Sequence, residues 1–388
     1  MFSIKTFGRN IRKALLEPGF AAKALLKRTG ASLSYRFNKT GKAPLPENIT
    51  LFLTYKCNLR CNMCGQWGEE GSSKSFGIEK VEKKLELASY VKLLDEVKGF
   101  KPHITLFGGE PLLYPEFEQL VVEIKKRGLH LGIITNGTLL KKYAKTLVEL
   151  GVDVISLSVD GPAKTHDSIR NMQGAYLQIK EGTDELRRLK IEKDVSKPLV
   201  NVVCTLSRQN YKNIKEMPAV AEELNADTLN LHHLIFTHSD TLESHNKYFA
   251  EKFGVVSTEW EGFITHSAEE INVATMAEDI LKLKAGSYSF LLTVYPDFSS
   301  KEILKYYADR NFVSKEYQER CLSPWLAAYV YPDGDVMPCN GLGYSAGNLN
   351  SDSFKNIWNG EKMRAFRQEL KKQKHFQVCP KCTELYRY

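Results

Sequence analysis

The stretch ITLFLTYKCNLRCNMC, residues 49–64, decides how this chain is read. An apolar run, Ile49 to Leu53, is followed at once by three cysteines, Cys57, Cys61 and Cys64, spaced C-x3-C-x2-C. The run has the length and composition of a buried strand, and the cysteines sit in the loop that leaves it. Soft thiolates suit iron–sulfur clusters or zinc. Structural zinc sites are usually closed by four ligands in C-x2-C pairs, which this triplet does not supply. Three ligands leave one metal position open, and open positions are where chemistry takes place.

A second apolar run, residues 103–107, ends in Gly108-Gly109-Glu110-Pro111. Glycines permit close approach to the backbone, by a ligand in the simplest reading, and Glu110 suits an ammonium group. Alone, a Gly-rich strand-to-loop turn is weak evidence. One strand–helix unit after the cysteine triplet, it is strong. Further runs end in Thr135-Asn136-Gly137 and in Ser158-Val159-Asp160-Gly161-Pro162, with Arg170 downstream.

With these motifs in this order, the chain resembles the radical S-adenosylmethionine (radical SAM) enzymes over roughly residues 48–240. The resemblance implies a [4Fe–4S] cluster on Cys57, Cys61 and Cys64, whose open iron chelates SAM. It implies that Gly108, Gly109 and Glu110 meet the SAM amino group. It implies that Asn136, Ser158, Asp160 and Arg170 belong to the same cofactor site, with Ser158 and Arg170 toward the ribose and carboxylate. It also implies reductive cleavage of SAM to a 5′-deoxyadenosyl radical, which removes hydrogen from an unactivated C–H bond.

Four more cysteines lie near the end of the chain: Cys321, Cys339, Cys379 and Cys382. Between the first two and beyond, residues 329–337 read as a hairpin turning at Pro332-Asp333-Gly334. The C-x12-G-x4-C spacing is similar to the SPASM/twitch extension of radical SAM enzymes. Four cysteines point to the shorter twitch form with one auxiliary [4Fe–4S] cluster, making two clusters with the first. Two separated cysteine pairs also suit zinc.

The eighth cysteine, Cys204, lies in a strand-like run and reads as a buried thiol. A chain of 388 residues with 43% hydrophobic and 26% charged residues is ordinary for packed globular protein. It has no signal-peptide pattern and no 18-residue apolar stretch, so a reducing cytoplasm is the expected setting. Residues 1–45 contain ten Lys or Arg against Glu17 alone, which is more than the net +8 of the whole chain. Pro18-Gly19 should divide this arm into two short helices, with Ile11, Ala14 and Leu15 before the break and Phe20, Ala24, Leu25 and Leu26 after it. Such an arm suits a solvated basic face first, then an anionic membrane surface, then another anionic partner. No nucleic-acid motif supports that class of partner.

Strands are expected at 49–54, 103–107, 130–135, 153–159, 199–205 and 228–234. Helices are expected at 81–98, 115–127, 138–150 and 213–225. The alternation is α/β with parallel strands, and six units match the partial (β/α)6 TIM-like barrel that the resemblance implies. Motifs then fall at the C-terminal strand ends, where barrel enzymes carry their chemistry. The domains read as a helical arm (1–45), a core barrel (46–240), a linker or insertion (241–315) and a small α+β auxiliary-cluster domain (316–388). Strand six ends in His232-His233, one of which should enter the barrel mouth as a base or donor.

The functional expectation is a radical SAM oxidoreductase acting on a small molecule, sugar or lipid-linked substrate. An external reductant such as flavodoxin or ferredoxin would supply electrons, and the auxiliary cluster would permit net oxidation. A peptide-crosslinking or epimerising maturase is the alternative; the short arm before the barrel does not read as a winged leader-binding domain. A non-catalytic Fe–S or zinc scaffold is the alternative from another class.

Overall fold

A computed structural model describes residues 18–68, 71–264, 270–317 and 319–388. Nine strands form one sheet: β1 (Asn48–Phe52), β2 (His103–Phe107), β3 (His130–Thr135), β4 (Val154–Ser158), β5 (Leu199–Thr205), β6 (Thr228–His232), β7 (Leu291–Tyr295), β8 (Ala327–Val330) and β9 (Val336–Met337). Their spatial order is β7-β6-β5-β4-β3-β2-β1-β8-β9. All neighbouring pairs are parallel except β8 and β9, which form the expected hairpin. Gly334 turns it, at φ +90°, a conformation glycine adopts without steric cost.

The six expected strands are present, and two more parallel strands extend them. β7 comes from within 241–315, so that segment is part of the sheet as well as a connection. β8 comes from the C-terminal region and pairs with β1 in register, Asn48 opposite Ala327 and Leu51 opposite Val330. The ring does not close, because β7 and β8 do not pair with each other. The C-terminal tail stands between them. The Tyr295 hydroxyl of β7 donates to the Thr383 carbonyl at 2.5 Å, and the Tyr329 hydroxyl of β8 donates to the Glu384 carboxylate at 3.2 Å.

Strand periodicity sorts residues onto two faces. Ile49, Leu51, Ile104, Leu106, Leu131, Ile133, Ile155, Leu157, Val200, Val202, Leu229 and Leu231 join the main core with the surrounding helices. The opposite face turns inward. On one side it is aromatic: Phe52, Phe107, Tyr329 and Tyr331 cluster with Tyr55 and Met337, and Phe52 stacks on Tyr331 with ring centroids 4.6 Å apart. On the other side it is polar. Asn201 bonds Ser156, Thr228 and Asn230, and Thr293 donates to Asn230. Buried amides and hydroxyls are tolerated there because they satisfy one another.

The outer helices follow their apolar spacing. The helix Leu87–Val97 buries Tyr90, Leu93, Leu94 and Val97, and Phe117–Lys126 buries Phe117, Leu120, Val121 and Ile124. The helices Leu140–Glu149 and Met217–Glu223 lie within the expected 138–150 and 213–225. In the N-terminal arm, the helix expected after the Pro18-Gly19 break starts at Pro18 and runs 20 residues to Phe37, and the expected helix before it lies outside the described residues. Its buried face carries Ala24, Ala31 and Tyr35, whereas Leu25 and Leu26 point outward. Alanine wins the inner face because the helix lies close against the body. Arg28 pairs with Glu47 at 2.6 Å, and Tyr35 packs edge-on against Trp325 at 4.9 Å.

Candidate active site

The cysteine loop leaves the C-terminal end of β1 and is shaped by its own backbone. Cys57 Sγ accepts from the Leu59 N–H and Cys64 Sγ from the Trp67 N–H, each at 3.4 Å. The Trp67 indole donates back to the Tyr55 carbonyl at 2.8 Å. Burial pushes the Cys57 thiol up to about 12 and raises Cys61, with neighbouring cysteines adding to both. Such thiols stay protonated at neutral pH when free, and metal ligation displaces the proton. Three thiols on one loop, given N–H donors and a nearby cation, suit an iron–sulfur cluster by the chemistry of the donor set, although no three ligands are preformed around a metal position among the described residues.

The glycines of the GGEP loop permit a close approach within the protein itself. What approaches them is the cysteine loop. The Gly109 N–H donates to the Thr54 carbonyl and the Glu110 N–H to the Lys56 carbonyl, both at 2.8 Å. A Cβ on Gly108, which sits at φ +144°, would lie 2.6 Å from the Thr54 oxygen, and one on Gly109 would lie 2.6 Å from the Tyr55 oxygen. The pair therefore zips two strand-end loops together.

Glu110 is fully buried. Its Oε1 accepts from Thr135 Oγ1 at 2.6 Å and the Leu112 N–H at 3.1 Å, and its Oε2 from the Asn136 N–H at 2.8 Å. Burial raises its pKa to about 7 despite these donors. One lone pair of Oε2 remains for an ammonium group, the fit expected of the SAM amino end. The Asn136 side chain is spent locally: Nδ2 donates to Asn58 at 2.9 Å and reaches Cys57 Sγ at 3.9 Å, while Oδ1 accepts from Thr138. It holds the cysteine loop.

Asp160 and Arg170 form a buried ion pair at 2.6 Å, and Arg170 also reaches Cys61 Sγ at 3.8 Å. Burial raises Asp160, the guanidinium opposing it; Arg170 is driven further up by Asp160 and Cys61, which outweigh its own desolvation. The Arg170 Nε atom is buried without a hydrogen-bond partner among the described residues. Ser158 ends β4 on the inward face, level with Val203. Thus Glu110, Asn136, Asp160 and Arg170 gather around the cysteine loop through bonds to it or to one another. For Ser158 the structure shows position alone.

Register separates the two histidines. His232 aligns with Thr205 and Tyr295 on the inner face, and its ring meets Tyr295 edge-on at 5.3 Å. His233 faces outward, 1% exposed, among Phe298, Tyr306 and Tyr307. Burial holds it near 3 and neutral. A catalytic part for His233 is therefore corrected to a packing one.

The second cysteine set is drawn from three distant segments. Cys321 and Cys379 are buried, Cys339 and Cys382 partly so. Desolvation raises all four, and mutual influence between thiols raises Cys321, Cys339 and Cys382 further. The Phe376 N–H donates to Cys379 Sγ at 3.4 Å. Lys381, between the last two cysteines, points away and donates to the carbonyls of Tyr306 and Asp309. Four soft ligands whose thiols influence one another suit a closed cluster by their chemistry, although here too no three of them stand ready-made around a metal position among the described residues.

Two family models match the chain: the radical SAM superfamily over residues 51–217, and an iron–sulfur cluster-binding SPASM domain over residues 321–383. This is a radical SAM protein with a SPASM-type extension. Among its relatives is the tungsten-containing aldehyde ferredoxin oxidoreductase cofactor-modifying protein of Pyrococcus furiosus, 25% identical over 87% of this chain and 86% of that one. An AdoMet-dependent heme synthase of Methanosarcina barkeri is 29% identical over 84% and 86%. A PqqA peptide cyclase of Granulibacter bethesdensis is 22% identical over 81% and 74%. Streptococcus suis SuiB shares the fold, with TM-score 0.57 and 12% identity over 84% of this chain and 68% of that one.

Several residues that build the radical SAM site were not singled out from sequence. Thr135 fixes Glu110, Asn58 anchors Asn136, and Asn210 holds the Asp160 carbonyl at 3.1 Å. Gly65 and Gly68 are required by close contacts with the Phe263 ring and the Cys64 carbonyl. Proximity to a motif was the only signal for most of them. Cys204 is buried, its sulfur 3.5 Å from Asn210 Nδ2, as expected of an inert thiol. No helix among the described residues is long and apolar enough to cross a membrane.

Proposed function

We propose that this radical SAM enzyme acts on a cofactor-sized small molecule that has an apolar face and a polar edge, and that the net reaction is an oxidation. The observation carrying the substrate class is the two-sided interior of the barrel. Phe52, Phe107, Tyr329 and Tyr331 form an aromatic side; Asn201, Asn230 and Thr293, bonded to one another, form a polar one, with His232 on the same inner face at the end of β6. Relatives named for heme synthesis and for modifying a tungsten enzyme's cofactor support this class.

Bound SAM and a reduced cluster on Cys57, Cys61 and Cys64 would supply the hydrogen-abstracting radical. The chain's own part is positioning. Glu110 and Arg170 hold charge at fixed places, His232 faces the reacting space, and the walls exclude water. A second cluster on Cys321, Cys339, Cys379 and Cys382 would have no open iron, which suits electron acceptance better than substrate ligation. A flavodoxin- or ferredoxin-type reductant would supply the first electron.

The second reading is a peptide substrate, favoured by the PqqA peptide cyclase relatives. The test is anaerobically reconstituted protein with SAM and reductant, assayed for 5′-deoxyadenosine. Candidate carboxylated metalloporphyrins and other flat cofactor precursors should raise release above the substrate-free rate, with an oxidised product in equal yield. Stimulation by peptides alone would replace the small-molecule reading. Absence of 5′-deoxyadenosine from a fully loaded protein would end the catalytic one.

A further inference from the structure

We infer that the helix Pro18–Phe37 docks the protein onto an anionic lipid bilayer, with the barrel mouth facing away from it. The helix has two distinct sides. One is bound to the body through Ala24, Ala31, Tyr35 and the Arg28–Glu47 ion pair. On the other, Leu26, Leu33 and Phe37 fall at i, i+7 and i+11, which places them in one stripe. They are 75%, 53% and 68% exposed, and Leu25 beside them is 50% exposed. Scattered exposed apolar residues need no explanation, but an aligned stripe of large ones does.

Charge identifies the occupant. Residues 18–45 contain six basic residues, Lys23, Lys27, Arg28, Arg36, Lys39 and Lys42, and no acidic one. At 100° per residue, Lys23 and Arg36 flank the stripe on opposite sides. Lys39 and Lys42 follow the helix end and are exposed. An apolar stripe bordered by cations is the pattern of a helix lying in the headgroup region of an anionic bilayer. A protein partner's apolar groove would leave the flanking cations without matching charge unless it were acidic.

The seating of the helix gives the orientation. Lys27 donates to the Pro46 and Lys101 carbonyls, and Arg28 bonds Glu47. These residues lie just before β1 and β2, at the N-terminal ends of the strands. The cysteine loop leaves the C-terminal end of β1. A bilayer against the outer face of the helix therefore lies on the side of the barrel opposite the mouth. Docking in this sense serves localisation and leaves the active site open to the aqueous phase, which accords poorly with a lipid-linked substrate.

The test is co-sedimentation of the full chain with mixed phosphatidylglycerol–phosphatidylcholine vesicles, against pure phosphatidylcholine vesicles. Binding should require phosphatidylglycerol and weaken with added salt. Combined Leu26→Ser, Leu33→Ser and Phe37→Ser should weaken it by about a hundredfold or more, since each large side chain gained by the bilayer is worth about tenfold or more. These side chains are exposed, so thermal unfolding should be unchanged. Deleting residues 1–17 should reduce affinity but retain dependence on the stripe. The inference is overturned if wild type ignores anionic vesicles, if it binds neutral ones equally, or if the triple variant binds as wild type does.

Discussion

The two cysteine sets are built on opposite plans. The first is local: Cys57, Cys61 and Cys64 span eight residues, and their sulfurs are met by N–H groups of the same loop. The motifs that surround them add backbone bonds, from Gly109 and Glu110, and one cation, Arg170. The second is tertiary. Cys321, Cys339, Cys379 and Cys382 come together only because β8 joins β1 and because the tail fills the gap beside β7. The difference separates chemistry from architecture. The first set should fail by local distortion while the fold persists, and the second should report the integrity of the whole barrel.

The sharpest way to break this contrast is Gly109→Ala. The added methyl meets the Lys56 carbonyl first and then that of Tyr55, neither of which can move without carrying the cysteine loop with it. Loss of the first cluster and of SAM cleavage is expected, with the second cluster kept, as read by iron content and electron paramagnetic resonance. Loss of both clusters would show that the sites are not separable. Asp160→Asn comes next. It strands the Arg170 cation in a buried site, and breaking such a pair costs about 3–5 kcal/mol. Chemical denaturation should show that loss, together with weaker SAM binding.

The pH dependence of Glu110 gives a smaller effect. Its folded value lies near 7, above that of the unfolded chain, so the folded state binds the extra proton more tightly between the ordinary carboxylate range and pH 7. Stability without SAM should therefore fall as pH rises through that window, by at most about 3 kcal/mol. SAM affinity should rise over the same window, because the amino group selects the carboxylate. Glu110→Gln should flatten both curves; an unchanged slope in the variant would place the titration elsewhere. The smallest effect distinguishes the histidines. His232→Ala should slow product formation by about tenfold or more, in the range of a positioned acid–base group. His233→Phe should leave the rate nearly intact, since that ring packs among aromatics.

The local set was legible because its ligands, its strand and its companion motifs are near in sequence. The six strands from β1 to β6 were legible for a similar reason: each is an apolar run, and four of them are followed by a helix of clear spacing. β7 and β8 were not. The run Phe290 to Tyr295 is apolar enough for a strand, yet nothing in its composition says that it lies beside β6. Ala327 to Val330 read as half of a hairpin, and its pairing with β1 spans more than 270 residues of chain. The seating of the helix Pro18–Phe37 was not legible either. Its apolar spacing names Ala24, Leu25 and Leu26 together, and only close packing selected Ala24 and Ala31 for the inner face. The glycines of GGEP were read toward a ligand, and only coordinates show that the neighbour is the adjoining loop.

The most direct test of the contrast is metal content. Wild type and a Cys57→Ala, Cys61→Ala, Cys64→Ala variant would be reconstituted anaerobically and assayed for iron, sulfide and zinc, with thermal unfolding alongside. Two clusters would give about eight iron and eight sulfide in wild type and about four of each in the variant, with the same unfolding midpoint. A variant that loses nearly all its iron, or that unfolds early, would contradict independent sites. Stoichiometric zinc on Cys321, Cys339, Cys379 and Cys382 would contradict the second cluster itself.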